Sequence, residues 1–219
     1  MICAQKHECV KEGDLILLHG GYKFLTTCYV ERGQILINKF GAFRHENMIG
    51  VAYGQLVPNT RNSAKLVVLR ATPELWSISL RHRTQVVYSM DASVINFRLN
   101  IRPGSIVVET GTGSGSLSHH FVRSLQPNGH LHTFEFNQHR AKLAEEEFRR
   151  HGISQYVTVH HADAYEDGFS KEGGVIHQAN AVFLDLPMPW KAIHHAKKAL
   201  VPNGMICSFS PCVEQVGGC

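Results

Sequence analysis

The sequence predicts an α/β protein in two parts: a small β-rich segment, then a parallel sheet wrapped by helices. Three observations carry that expectation. Short apolar runs broken by turn residues fill the chain up to about residue 72. Beyond it, apolar strands alternate with amphipathic helices. One of these strands, Ser105-Ile-Val-Val-Glu109, runs almost directly into the glycine-rich turn Gly111-Thr-Gly-Ser-Gly115. With 219 residues, 43% hydrophobic and 18% charged, the chain can bury a sizeable core and is too apolar to be disordered.

In the first segment, Asp14-Leu-Ile-Leu-Leu18, Leu25 to Val30, Gln34-Ile-Leu-Ile37 and Lys65 to Leu69 read as strands. His19-Gly-Gly21 and Glu31-Arg-Gly33 separate the early ones, and Gly50, Gly54 and Pro58 punctuate loops. Strands this short and closely spaced suggest a small antiparallel sheet or barrel. The boundary is expected after residue 70, giving a small β domain over 1–70 and a larger one over 71–219.

Thr72-Pro73-Glu74 combines a helix N-cap, a proline at the first helical position and an acid in the first turn. Helical spacing then runs from about Thr84 to Leu99 and stops at Arg102-Pro-Gly104. Five strand candidates follow: Ser105–Glu109, Leu131–Glu135, Tyr156–His160, Ala181–Asp185 and Met205–Phe209. The clearest helix between them is Asn137–Arg150. Such alternation implies right-handed crossovers and a parallel sheet covered on both faces.

Composition excludes several classes. No run of eighteen apolar residues exists to span a membrane, and Lys6 and Glu8 stand where a signal peptide needs an apolar core. The chain therefore reads as soluble and intracellular. Its 6 cysteines contain no Cys-x-x-Cys pair and are expected to be reduced thiols. Among 15 histidines, the pairs His119-His120, His160-His161 and His194-His195 point apart on a helix or strand, and no His-Glu-x-x-His occurs, so no metal is expected. A net charge of +4 tilts the chain mildly toward anionic partners.

The glycine turn is the strongest chemical signal. Glycines permit positive φ and close approach of a ligand, and the free N–H groups of the following helix offer hydrogen bonds. Dinucleotide folds favour Gly-x-Gly-x-x-Gly, but here Gly111, Gly113 and Gly115 form Gly-x-Gly-x-Gly, with Ser116 where the third glycine would fall. Glu135 ends the next strand at the offset where an acid can bind ribose hydroxyls of either a dinucleotide or S-adenosylmethionine. The shortened motif, with Glu109 ahead of it, favours S-adenosylmethionine, which has no pyrophosphate to cradle. Asp163 follows the third strand, where it could meet an adenine amino group. Asp185 ends the fourth, and Pro187 and Pro189 stiffen the loop that leads to Trp190. An acid, a rigid loop and a flat aromatic suit a nucleobase pocket, although a structural loop capped by tryptophan has the same composition.

Three segments go beyond such general chemistry: Thr72-Pro-Glu-Leu-Trp-Ser-Ile-Ser-Leu-Arg-His-Arg-Thr-Gln85, Glu109-Thr-Gly-Thr-Gly-Ser-Gly-Ser116 and Phe209-Ser-Pro-Cys-Val-Glu-Gln-Val216. With Phe183-Leu-Asp-Leu-Pro187, they resemble the catalytic-subunit family of the eukaryotic tRNA (adenine-58-N1)-methyltransferases. The resemblance runs from about Lys11 to Val216. It implies a small N-terminal β-barrel and a class I (Rossmann-like) methyltransferase domain. It also implies S-adenosylmethionine as donor, N1 of adenine 58 in the T-loop of tRNA as acceptor, and a nuclear heterotetramer with a related non-catalytic subunit.

By matching motifs, the resemblance assigns Val87, Gly111, Gly113, Ser114, Gly115, Ser116, Leu117, Glu135, Arg140 and Asp163 to the cofactor. Asp185 corresponds to the catalytic aspartate. His82 and Arg83 are candidate tRNA contacts, beside Arg61, Lys65 and Arg81. Domains of this class normally add a helix and two strands after the fifth strand, so the sheet is expected to be incomplete at the C-terminus. Two other readings stay open: an inactive scaffolding form, and a methyltransferase of another RNA or of a substrate that is not a nucleic acid.

Overall fold

Residues 8–80, 86–169, 175 and 177–218 are described by the computed structural model. Contacts divide the chain into two units, Met1–Arg81 and His82–Cys219.

In the first unit, β1 (Leu15–His19), β2 (Leu25–Tyr29), β3 (Ile35–Asn38), β4 (Gly41–Arg44), β5 (Leu56–Pro58) and β6 (Lys65–Arg70) form two antiparallel sheets. One has the order β2-β1-β6-β5, and the other is the β3–β4 hairpin. Leu15 to Leu18 are all buried, because β1 is covered on both faces. Ile16 and Leu18 meet Phe43, Met48 and Val57, while Leu15 and Leu17 meet Ala71 and Trp76. That second cover is α1 (Pro73–Ser79), whose N-cap Thr72 Oγ1 accepts from the Leu75 amide at 3.3 Å. Because Trp76 packs on β1, α1 lies with the first unit and the division falls after Arg81 rather than residue 70.

The second unit begins with α2 (Ser89–Arg98), which starts later than the expected Thr84; Tyr88 is its N-cap, in extended conformation. There follow β7 (Ile106–Thr110), α3 (Ser116–Leu125), β8 (His130–Glu135), α4 (Gln138–Arg150), β9 (Val157–His161), β10 (Ala179–Leu184), α5 (Ile193–Ala199), β11 (Leu200–Ser208) and α6 (Val213–Gly218). All five expected strands are present. β11 starts earlier than Met205, through a register shift opposite Ala179 and Ala181. The short helix α6 was not expected from the pattern.

The sheet is parallel throughout, in the order β11-β10-β7-β8-β9. The chain steps outward from β7 through β8 to β9, then returns to place β10 against β7. Strand order reverses between β7 and β10, and ligands bind beyond strand C-termini at such a switch point. Both faces are covered over β7 and β10, whereas β11 is half-buried or exposed along its length. Val108, Phe134, Val182 and Leu184 pack with Ala192, Ala196 and Ala199 of the α5 region on one side. On the other, Phe121 of α3 meets Phe183 edge to face at 5.9 Å. Burying each such phenylalanine contributes about 1.5–3 kcal/mol. Among the described residues, no helix is long and apolar enough to cross a membrane.

Candidate functional site

The ends of β7 and β10 meet through the glycine turn. Gly111 has φ +76°, and its amide donates to the Phe134 carbonyl at 2.9 Å. A Cβ here would stand 2.6 Å from the carbonyl oxygen of Asp185, so only glycine lets the two strand ends come this close. Gly115, at φ +70°, is the N-cap of α3, and a Cβ on it would run into the Phe148 ring at 2.8 Å. Ser116 Oγ donates to the Val87 carbonyl at 2.9 Å, tying the segment before α2 to the turn.

Four acids stand at or near four successive strand ends. Glu135, the last residue of β8, is 3% exposed. Its Oε1 accepts from the Asn137 amide at 2.9 Å and from Arg140 Nε and Nη2 at 3.1 and 2.8 Å. Among the described residues its Oε2 accepts only a 3.2 Å bond from the Gly113 amide, which leaves that oxygen able to take a ligand hydroxyl. Glu109 in β7 is buried and accepts from Ser118 Oγ at 2.6 Å. Burial pushes its carboxyl up to about 7, while the Ser118 and Thr133 hydroxyls oppose that and the Asp185 charge adds to it.

Asp185 is half-buried, and burial raises its pKa. Its amide donates to Thr110 Oγ1 at 3.2 Å, and that hydroxyl donates to the Phe183 carbonyl at 3.3 Å. Asp163 follows β9. Its Oδ1 accepts from the Tyr165 amide at 2.8 Å, so part of this carboxylate holds its own turn.

These groups line two adjoining cavities of about 180 and 340 Å³. Val87, Gly111, Gly113, Ser114, Ser116, Leu117, Glu135 and Arg140 all line the first, with Glu109 and Asp185. Asp163 lines the second, which also contains Gly111, Glu135, Arg140 and Asp185. Of the expected cofactor residues, Gly115 alone lines neither, because it packs against Phe148. His82, Arg83 and Arg81 lie outside the described residues.

Sequence reasoning missed Phe136, Tyr165 and Leu186, which wall the second cavity. Phe136 is 71% exposed beside Glu135, and in a sequence an aromatic next to a strand reads as core. Tyr165 is found by its contacts alone: its hydroxyl accepts from the Met188 amide at 3.0 Å, joining the loops after β9 and β10.

The lining is acidic. Among the described residues its one cation, Arg140, is paired with Glu135 at 2.8 Å. A pyrophosphate here would face Glu109, Glu135 and Asp185 with no free cation among the described residues, whereas a sulfonium ligand bearing ribose hydroxyls and an amine meets acceptors. The residues fit S-adenosylmethionine and argue against a dinucleotide. Among the described residues, no group of three or more histidines, cysteines or acids is placed to hold a metal. His119 is structural instead: its Nδ1 lies 2.6 Å from the Gly115 carbonyl and its Nε2 2.8 Å from His151 Nδ1.

Residues 65–219 match the family model described as tRNA methyltransferase complex GCD14 subunit. The chain is 43% identical over 211 residues to the tRNA (adenine(58)-N(1))-methyltransferase catalytic subunit trmt61a of Dictyostelium discoideum, covering 96% of this chain and 67% of that protein. It is 42% identical over 209 residues to the catalytic subunit TRM61 of Candida albicans, covering 94% of this chain and 62% of that one. It thus spans about two thirds of the length of these curated relatives.

Among solved structures, a SAM-dependent O-methyltransferase from Thermotoga maritima superposes with a TM-score of 0.85 at 26% identity, covering 96% of this chain and 77% of its own. The tRNA (m1A58) methyltransferase TrmI from Aquifex aeolicus gives 0.74 at 23%, covering 95% and 78%, a likeness of fold.

Proposed function

Since the chain belongs to the family of the tRNA methyltransferase complex GCD14 subunit, we propose that it methylates N1 of adenine 58 in the T-loop of tRNA. In this reading it is the catalytic subunit of a nuclear complex, assembled as a heterotetramer with a related non-catalytic subunit. S-adenosylmethionine, when bound, supplies the methyl group. The observation that carries the reading is Asp185, an acid that lines both cavities of the crevice, is hydrogen-bonded to β7 through Thr110 and lies where Gly111 alone permits so close an approach.

Each residue then has a physical task. Glu135 Oε2 accepts from ribose hydroxyls, while Arg140 holds the other carboxylate oxygen in place. Asp163, Phe136 and Tyr165 frame the cavity suited to a flat adenine. Asp185 accepts from the exocyclic amine of the target base, stabilising positive charge as it develops on the ring. Burial makes its carboxylate a stronger acceptor than one in water. Fixed strand ends align the reacting groups, and half-burial of the acid limits water around them.

The test is Asp185→Ala, assayed for methylation of unmodified tRNA and for cofactor affinity. Turnover should fall at least about a hundredfold, the scale of one electrostatic contact at a reacting centre. Affinity for S-adenosylmethionine should stay within a few-fold. A variant that keeps most of its turnover removes Asp185 from catalysis. A wild-type chain that binds cofactor but methylates only protein, or nothing, removes tRNA as substrate.

A further inference from the structure

The three hairpin turns at one end of the N-terminal unit meet around Phe40. Phe24, after the β1–β2 turn, lies edge to face with Phe40 at 4.9 Å, and Gly20 sits close enough that a Cβ would touch the Phe40 ring. From the β5–β6 loop, Asn59 Nδ2 donates to the Phe40 carbonyl at 2.6 Å, and the Thr60 amide donates to the Ala42 carbonyl at 2.8 Å. Residues 19–25, 38–41 and 58–65 therefore form one surface, in which Lys23, Lys39, Arg61 and Lys65 are exposed.

No acid occurs in any of these three segments. Among the described residues, none of the four cations pairs with a carboxylate. The opposite end of the same unit has mixed charge: Arg32 Nε meets Glu12 Oε2 at 2.9 Å, and Glu46 accepts from the Gly33 amide. Charge is segregated along the unit.

Aromatic rings are interleaved with the cations. Tyr22 is 89% exposed at the tip of the β1–β2 turn, with the Lys23 ammonium 5.1 Å from its ring centre. The Lys39 ammonium lies 5.1 Å from Phe24 and 5.2 Å from Phe40. The turn that presents Tyr22 places Lys23 at φ +58°, a left-handed conformation that costs a side-chain-bearing residue energy and tends to persist where a ligand is clamped.

We propose that this turn end binds RNA, with Lys23, Lys39, Arg61 and Lys65 on phosphates and Tyr22 stacked on an unpaired base. The inference rests on tRNA being the substrate and names where this unit holds it. Cations spread over three rigid turns match a backbone of regularly spaced phosphates, and a solvent-exposed ring beside them is a stacking platform for a base.

The experiment measures binding of fluorescent unmodified tRNA to the full chain by anisotropy, between about 50 and 200 mM salt. The variant Lys23→Ala/Lys39→Ala/Arg61→Ala/Lys65→Ala should bind at least about tenfold more weakly, and its log K against log salt should be flatter by about 3. Tyr22→Ala should weaken binding about fivefold or more and leave that slope unchanged, since stacking releases no counterions. Lys11→Ala/Arg32→Ala, at the opposite end, should bind as wild type.

A four-site variant with wild-type affinity and slope overturns the inference while a methylating wild type leaves the proposed function intact. A four-site variant that still binds tRNA but no longer binds phosphatidylserine vesicles assigns the surface to a membrane and also overturns it. A wild type that neither binds nor methylates tRNA overturns both.

Discussion

Among the described residues, the crevice beyond β7, β8, β9 and β10 presents four carboxylates and a single guanidinium already held by Glu135. The turn end of the N-terminal unit presents four cations and no acid. A net charge of +4 averages over this and hides it. The two regions differ in construction as well as sign. In the crevice the four carboxylates are buried or half-buried at strand ends, and backbone amides fix those of Glu135 and Asp163, which suits a small ligand that must be aligned. On the turns the charges are solvated and carried on long flexible side chains, which suits a polyanion gripped through many weak contacts. Local sign and burial identify ligands where total charge does not.

The largest break in this comparison is expected from Gly111→Ala. The new Cβ meets a backbone carbonyl at 2.6 Å, which cannot swing aside like a side chain, and φ +76° adds about 1–3 kcal/mol of strain. The ends of β7 and β10 must part, moving Asp185. Calorimetric titration should show loss of S-adenosylmethionine binding, while tRNA affinity through the N-terminal turns stays within about twofold of wild type. Unchanged cofactor affinity would show that the close approach of Gly111 to Asp185 does not shape the crevice.

A smaller effect is expected from Glu135→Gln. The shape is kept and the charge is lost, so Oε2 becomes a neutral partner for a ribose hydroxyl. A hydrogen bond to a charged group contributes about 1.5–3 kcal/mol, so cofactor affinity should fall roughly ten- to a hundredfold. Affinity within twofold of wild type would remove Glu135 from cofactor binding.

Much of this was legible in the sequence, for reasons particular elements make plain. β7 and β10 are buried on both faces and read as unbroken apolar runs, and the glycine turn between β7 and α3 is local. Glu135 and Asp185 were legible because the acid directly follows an apolar run. What escaped depends on tertiary contact. Trp76 joins the N-terminal unit because it packs on a strand about sixty residues earlier, and no local pattern shows that. Phe136 and Tyr165 look like core residues until the crevice is seen. Each cation of the turn cluster, taken singly, looks like ordinary solvated surface; only the meeting of three hairpins at Phe40 brings them together.

The smallest effect concerns Glu109, and it separates the two regions by pH. Burial raises its folded-state pKa from 4.5 to about 7, so the folded protein binds this proton more tightly than the unfolded chain does. Its contribution to stability is therefore fully present below about pH 4.5 and is lost as pH rises through about 7. Glu109→Gln keeps an acceptor for Ser118 Oγ and cannot ionise. Relative to wild type, the variant should gain a few degrees in melting temperature at about pH 8 and almost nothing near pH 4.5. His119 and His151, pushed down to about 4 and about 2 by burial, act in the opposite sense: their contribution is lost as pH falls below about 6.5, equally in both proteins. Melting curves at the two pH values isolate Glu109 as the difference between variant and wild type. An equal gain at both would mean that the substitution changes packing rather than ionisation. The tRNA affinity of the N-terminal turns should not follow Glu109 at either pH, because no buried acid takes part there.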